Sequence, residues 1–286
     1  MPAYYRAKDD VTTRFFIIYL EGLINPHPDQ QMSTGNTSLA KMLALLDAFT
    51  KERHVWTVEA MAIHFGYTHS STYRYVRELC RSGLLVRMPS GEYVIGARVV
   101  ELESLIRETS SIARITTPVL EQFTQLLGCH ALLSNAYGQH LINVVHIRGH
   151  EAIDLAFVRG RRLPWFRGAP SKAILAFLPR KRVRKLFEGY FEGEKSKKNW
   201  RQTLVGLKAI SDQGFCISED ELQQGAMGIG APIIVASEVL GSITLVFSTR
   251  HGKLLNRSEV GELLLQGCAQ CVDRLEDAPA PGDKDL

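Results

Sequence analysis

Long apolar runs, cysteine and one-signed charge are all scarce in this chain, and each scarcity removes a class of protein. The apolar run Phe15-Phe16-Ile17-Ile18-Tyr19-Leu20 ends after six residues at Glu21 and Gly22, far short of the roughly 20 that cross a bilayer. Asp9 and Asp10, with no small-residue cleavage site after them, argue against a secretory signal. Five cysteines, Cys80, Cys129, Cys216, Cys268 and Cys271, are scattered and odd in number. They suit a reducing cytoplasm better than a disulfide framework. A formal charge of +4 from 34 basic and 30 acidic residues is compatible with nucleic acid as a partner but does not establish it. No internal repeat, phosphate-binding glycine loop, nucleophile elbow or metal-ligand set is present. Cys268-x-x-Cys271 has no second such pair or histidine pair nearby, and His140, His146 and His150 fall on strands or turns that do not converge them. The expectation is a cytoplasmic protein with no catalytic residues, cofactor, metal or membrane contact.

What is present is concentrated between Thr57 and Ile95. Thr57 is a good helix N-cap, Met61, Ala62 and Phe65 give the helix after it a buried side, and Gly66 supplies the turn. A second helix follows from Ser70 to Ser82. At 100° per residue Ser70, Arg74, Arg77 and Arg81 lie within roughly 60° of one another. Thr72, Tyr75, Val76 and Leu79 lie opposite. Gly83 ends this helix, and Leu84–Arg87 and Glu92–Ile95 read as two strands around the turn Met88-Pro89-Ser90-Gly91. Helix, turn, helix with a basic face, and hairpin make a winged helix-turn-helix. From Ser38 to Val100 eight basic residues face five acidic ones, so the argument rests on where the charges lie rather than on their sum.

With 286 residues, 45% hydrophobic and 22% charged, the chain is long enough for two cored domains. Residues 1–35 form an extension, either disordered or weakly helical, or else preceding a translation start at Met32. Residues 36–97 form the winged helix-turn-helix domain, opened by a helix carrying Leu39, Met42, Leu43, Leu46 and Phe49. A linker helix spans 98–112, where Val99, Leu102, Ile106 and Thr109 make a stripe that either seals a dimer or lies back on its own domain. Residues 113–277 change to mixed periods: a helix starting at Thr117-Pro118, strands at 131–134, 141–145 and 153–157, helices at 169–177, 180–189 and 200–213, strands at 229–235 and 242–247, and a helix at 256–276. Residues 278–286 are a frayed tail. The fold class expected is α+β, an α-rich head followed by an antiparallel sheet flanked by helices.

These elements resemble the IclR family of bacterial transcriptional regulators from about Ser38 to Leu275. Leu39 to Phe49, with Lys41, is similar to the family's opening helix. Gly66-Tyr67-Thr68-His69-Ser70-Ser71-Thr72-Tyr73-Arg74 is similar to its turn and recognition helix, with His69 replacing a basic residue and Ser71 a threonine. Leu163-Pro164-Trp165-Phe166-Arg167-Gly168-Ala169-Pro170-Ser171-Lys172-Ala173 resembles its central motif, departing at Gly168 and Ser171. Gly214-Phe215, Glu221, Gly225 and Ala231-Pro232-Ile233 resemble the stretch before its last strands.

The resemblance implies a GAF/PAS-like effector-binding domain behind the DNA-binding head. It also implies a homodimer or homotetramer on double-stranded operator DNA, controlling a catabolic operon in response to a small molecule. The alternatives are a constitutive regulator whose second domain only oligomerises, and an enzyme with a DNA-binding head. DNA contact is expected from Lys41, Thr68, His69, Ser70, Ser71, Thr72, Tyr73, Arg74, Arg77 and Arg87. Carried over by position, the effector site falls on Trp165, Ala169, Pro170, Ser171, Ser218, Glu219, Gly228, Leu245 and Phe247. Leu245 and Phe247 on the last strand, with Trp165 and Phe166, suggest an aromatic or otherwise apolar carboxylic acid, held by Ser171, backbone N–H groups, Arg148 or Arg167. The other reading makes the four bulky residues ordinary core.

Overall fold

A computed structural model describes residues 37–151, 153–191 and 199–277. The expected extension over 1–35, the Met32 start and the tail over 278–286 lie outside the described residues. The chain divides into two compact units, and it passes from one to the other between Ser110 and Ser111.

The first unit opens with α1 (Ser38–Ala44), capped by the Thr37 hydroxyl, and a 3-10 turn over Leu45–Ala48. Then come α2 (Val58–Phe65), α3 (His69–Arg81), the hairpin β1 (Leu85–Arg87) and β2 (Tyr93–Ile95), and α4 (Arg98–Thr109). The Thr57 and Thr68 hydroxyls accept from the N–H groups of Ala60 and Ser71, and such a cap contributes about 1 kcal/mol. Gly66 ends α2 at φ 66°, the left-handed conformation a side chain resists. Trp56 joins the pieces: its backbone exchanges hydrogen bonds with Tyr93 at 3.0 and 2.7 Å, and its Nε1 donates to the Ala48 carbonyl at 3.1 Å. Around it Leu45, Met61, Val76, Leu79 and Leu85 form the core.

The second unit is a six-stranded antiparallel sheet of order β5-β4-β3-β8-β7-β6. Its strands are β3 (His130–Tyr137), β4 (His140–Ile147), β5 (Arg162–Leu163), β6 (Cys216–Glu219), β7 (Ala226–Val235) and β8 (Glu238–Ser248). On one face α5 (Ser111–Leu127) and α10 (Arg257–Glu276) bury Leu133, Met227, Ile229, Ile243, Leu245 and Phe247. On the other face lie α6 (Ala169–Leu175), α7 (Arg180–Tyr190) and α8 (Asn199–Gln213). A short turn of helix, α9 (Thr249–Gly252), leads into α10.

Two expectations about elements fail for physical reasons. The helix expected to begin at Thr117-Pro118 begins at Ser111 and carries Pro118 in its interior. Ile112, Thr116, Val119, Leu120 and Phe123 are buried along one side through the proline, so packing overrides its usual role as a start. Just before it, the Thr116 and Thr117 hydroxyls donate back to the Ile112 and Ala113 carbonyls, each at 2.7 Å. The strand expected at 153–157 is irregular. Its backbone is held by side-chain amides rather than by a strand: Ala156 N–H donates to Gln223 Oε1 at 2.7 Å, Gln223 Nε2 to the Asp154 carbonyl at 2.9 Å, and Asn143 Nδ2 to the Phe157 carbonyl at 2.7 Å. Strands β5 and β6 had no counterpart in the sequence reading.

Phe247 is fully buried among apolar side chains, so Phe247→Ala should destabilise the second unit by about 3–5 kcal/mol. Urea titration followed by far-UV circular dichroism measures this. A loss below about 1 kcal/mol would contradict the packing described.

Candidate functional site

In the first unit α3 buries Thr72, Tyr75, Val76 and Leu79, and its opposite side is open. Ser70, Tyr73, Arg74, Arg77 and Arg81 are exposed there and Ser71 is half-buried. The basic face read from the sequence is therefore an outward face. Thr72 is a correction: it is fully buried, and its hydroxyl donates to the Thr68 carbonyl at 3.0 Å, so it braces the helix start and reaches no nucleic acid. Thr68 is occupied too, capping Ser71 N–H and donating to Ser71 Oγ at 2.9 Å. His69 Nε2 lies 3.0 Å from Glu59 Oε1 on α2, and that hydrogen bond holds the Glu59 carboxyl below the usual carboxylate range. Lys41 is half-buried with its Nζ 5.8 Å from the centre of the Tyr67 ring. Arg87 is exposed on the hairpin. Arg77 and Arg81 share Glu78 at 3.4 and 3.5 Å, long and exposed contacts that leave both guanidinium groups available.

The second unit holds a narrow cleft of about 500 Å³, counting its solvent-open mouth. It lies between the sheet, α6 and the irregular stretch around Leu155 and Phe157. Of the nine expected effector residues Pro170, Ser218 and Gly228 line it. The other six do not, and the reasons are geometric. Leu245 pairs in register with Ala131 and Ile229 and points with Phe247 into the core under α5 and α10. Strand alternation gives the cleft their neighbours Thr244 and Val246 instead. Glu219 likewise points away from Ser218 and pairs with Arg257 at 3.3 Å and Lys253 at 3.8 Å. Trp165 is buried in a separate apolar cluster, its Nε1 donating to the Gln139 carbonyl at 2.8 Å. Phe166 packs edge-on against Phe187 and tilted against Tyr190 and Phe191 rather than walling the cleft. The Ser171 hydroxyl donates to the Arg167 carbonyl within its own helix start.

Ala169 lies beneath the cleft wall, and its position explains the site. A Cβ added at Gly230 would meet the Ala169 backbone at 3.0 Å, and one at Gly228 would meet the Ala169 Cβ at 3.4 Å. Glycines in β7 thus let the start of α6 rest on the sheet. Ala169 N–H donates to Ser218 Oγ at 2.8 Å. Gly168 N–H donates to Glu221 Oε2 at 2.8 Å, and Lys172 Nζ donates to Glu221 Oε1 at 2.5 Å. Ser134 Oγ donates to Asn143 Oδ1 at 2.6 Å across the floor. The Thr244 hydroxyl, on a residue 1% exposed, has no hydrogen-bond partner. Glu221, Gln223 and Thr244 were missed as cleft residues. The alternation of β8 was legible, but which face meets α6 was not.

Neither arginine proposed as a ligand anchor lines the cleft. Arg167 donates to the Glu221 carbonyl, and Arg148 lies 3.8 Å from Asp154 on the surface. Among the described residues no cluster of three or more metal-type side chains occurs. His146 instead meets His130, ring nitrogens 3.3 Å apart. Burial, with the neighbouring His130 and Arg148, pushes the His146 imidazole down to about 4.

Comparison with known proteins gives a consistent picture. The family model "IclR helix-turn-helix domain" matches residues 38–89, and "Bacterial transcriptional regulator IclR C-terminal" matches residues 106–274. The HTH-type transcriptional regulator KipR of Bacillus subtilis is 29% identical over 209 residues, 71% of this chain and 82% of KipR. A crystal structure of an IclR transcriptional regulator from Silicibacter sp. TM1040 superposes with a TM-score of 0.70 at 17% identity, covering 86% of this chain and 98% of that one. An IclR homologue from Microbacterium hydrocarbonoxydans, complexed with 4-hydroxybenzoate, superposes with a TM-score of 0.69 at 19% identity, covering 85% and 100%. At these identities the two structures bear on the fold alone.

The histidine pair yields a pH test. His146 binds its proton near pH 4 in the folded chain and near 6.5 when unfolded. The unfolded state therefore takes up more protons between these values, and stability falls as pH drops from about 6.5 toward 4. His146→Gln should flatten that part of the profile in thermal melts; an unchanged slope would refute the assignment.

Proposed function

Because this chain belongs to the IclR family of bacterial transcriptional regulators, and so is a DNA-binding regulator rather than an enzyme, we propose that it is ligand-responsive and controls a catabolic operon. The observation that carries the reading is the pairing of two features on one chain: an outward basic face on α3 and a cleft in the second unit with apolar walls and the Ser218 hydroxyl among its lining.

On the DNA side α3 enters the major groove by its N-terminal end. Ser70, Ser71, Tyr73, Arg74 and Arg77 face the groove or its rim, Lys41, Thr68 and His69 lie toward phosphates, and Arg87 is the wing contact. Arg74 and Arg77 have the reach and donor geometry to read guanine. Arg74→Ala should cost about 1–3 kcal/mol at the preferred operator and much less on other sequences. Arg87→Ala should weaken all sequences alike and reduce the salt dependence of binding. Equilibrium binding to operator and random duplexes across a salt series tests both. Unchanged operator affinity for Arg74→Ala would reject this orientation.

The homodimer or tetramer expected from the family is supported by α4, which has no buried residue and exposes Val99, Leu102 and Ile106. A partner helix is the simplest cover for such a stripe. Ile106→Asp should shift sedimentation toward a smaller species, while unchanged sedimentation would remove α4 from the interface.

The small-molecule partner is assigned to the cleft. 4-Hydroxybenzoate, held by the Microbacterium homologue, makes an aromatic compound the first candidate effector. The bulky residues that favoured aromatics in the sequence belong to the core, so that preference no longer rests on them. Thermal shift against a metabolite panel, followed by operator binding with each hit, separates this reading from a constitutive regulator whose second domain only oligomerises.

A further inference from the structure

We propose that Glu221 is a built-in carboxylate that fills the anion position of the effector cleft, so that this chain responds to an uncharged, hydroxyl- or carbonyl-bearing ligand in preference to an acid. The inference rests on the effector reading of the cleft and names the ligand class it takes.

The donors that an acid would need are already taken. Gly168 N–H is given to Glu221 Oε2 and Ala169 N–H to Ser218 Oγ. Pro170 has no N–H to give. Two cations flank this wall and both are engaged: Lys172 pairs with Glu221 Oε1 at 2.5 Å, both side chains about two-thirds or more shielded from solvent, and Arg167 donates to the Glu221 carbonyl. Among the described residues no lysine, arginine or histidine lines the cleft, and the one charged lining residue is Glu221 itself. A ligand carboxylate entering here meets a like charge in a partly desolvated space with no cation among its described lining residues.

What remains open suits a neutral ligand. Ser218 Oγ accepts from Ala169 N–H, which leaves its own proton to donate into the cleft. Thr244 adds its methyl group to the wall beside Gly228, while its buried and unpartnered hydroxyl is turned toward Gly230. Leu132, Leu155, Phe157, Leu163 and Val246 supply the apolar walls. The floor hydroxyl of Ser134 is spent on Asn143, so polar recognition concentrates at the Ser218 end, beside Glu221.

Calorimetry on the full-length protein with charge-matched pairs tests this. The probes are 4-hydroxybenzamide and 4-hydroxybenzyl alcohol against 4-hydroxybenzoate, and lactamide against lactate. The uncharged member of at least one pair should bind at least tenfold more tightly than its acid. Glu221→Gln should bring the two within about threefold, chiefly by improving the acid. Ser218→Ala should weaken the uncharged member severalfold and leave the acid unmoved. An acid that binds as well as or better than its uncharged partner overturns the proposal and leaves the effector reading standing. A ratio unchanged in Glu221→Gln also overturns it. If Glu221→Gln does not fold, the wild-type ratio and Ser218→Ala decide alone. Operator binding intact with no probe of either charge bound overturns this proposal, and the effector reading is then decided by the metabolite panel.

Discussion

The start of α6 lies directly on the backbone of β7, and the second unit is arranged around that contact. It requires Gly228 and Gly230, because a side chain at Gly230 would press on the Ala169 backbone at 3.0 Å. It also fixes what faces what. With α6 this close, the small residues of β8 must underlie it: the Ser242 hydroxyl donates to the Pro170 carbonyl at 3.1 Å, and Thr244 sits next to Gly230. Strand alternation then sends Ile243, Leu245 and Phe247 to the far side, where α5 and α10 bury them. One close approach thus assigns the polar side of the sheet to the cleft and the bulky side to the core.

That same contact would be fragile without its brackets. A seven-residue helix has too few internal hydrogen bonds to hold itself. Glu221 and Ser218 accept its first free N–H groups, and Lys172 ties its body to Glu221. Gln223, two residues further along, holds the 154–156 backbone over the cleft. A single segment from Ser218 to Gln223 therefore positions the floor helix and the covering stretch together.

The head was far more legible in the sequence than the cleft, and the difference is physical. Burial on α3 repeats with the helical period over 13 residues, so one side fixes the other. Only Thr72 was double-counted, placed both on the packing side and among the DNA contacts, and the structure gives it wholly to the packing side. The sheet offered no such redundancy. On β8 every residue from Val239 to Leu245 is buried, whichever face it serves, so hydrophobicity does not say which set meets α6. A one-residue displacement moves the whole set to the opposite face. The register shifts at Leu133/Ser134 and Ile233/Ile234 compound this, since the extra residues, Val144 and Leu240, interrupt the alternation partway along β4 and β8. The carry-over to Leu245 and Phe247 missed Thr244 and Val246 by one residue each, and with them the chemistry of the cleft.

A ligand moves an equilibrium only to the extent that it binds two states differently. In this unit the contacts able to differ are few and named. The Glu221 and Ser218 acceptors, the Lys172 pair and the Gln223 clasp all touch the cleft and all hold something other than the cleft. A molecule lodged between Thr244, Ser218 and the apolar wall adds to the contacts of the arrangement seen, so it favours that arrangement over any in which α6 has lifted. A molecule that must displace Glu221 instead works against those contacts. On the proposal that Glu221 holds the anion position, a ligand's charge decides whether it adds to the contacts of α6 with the sheet or competes with them.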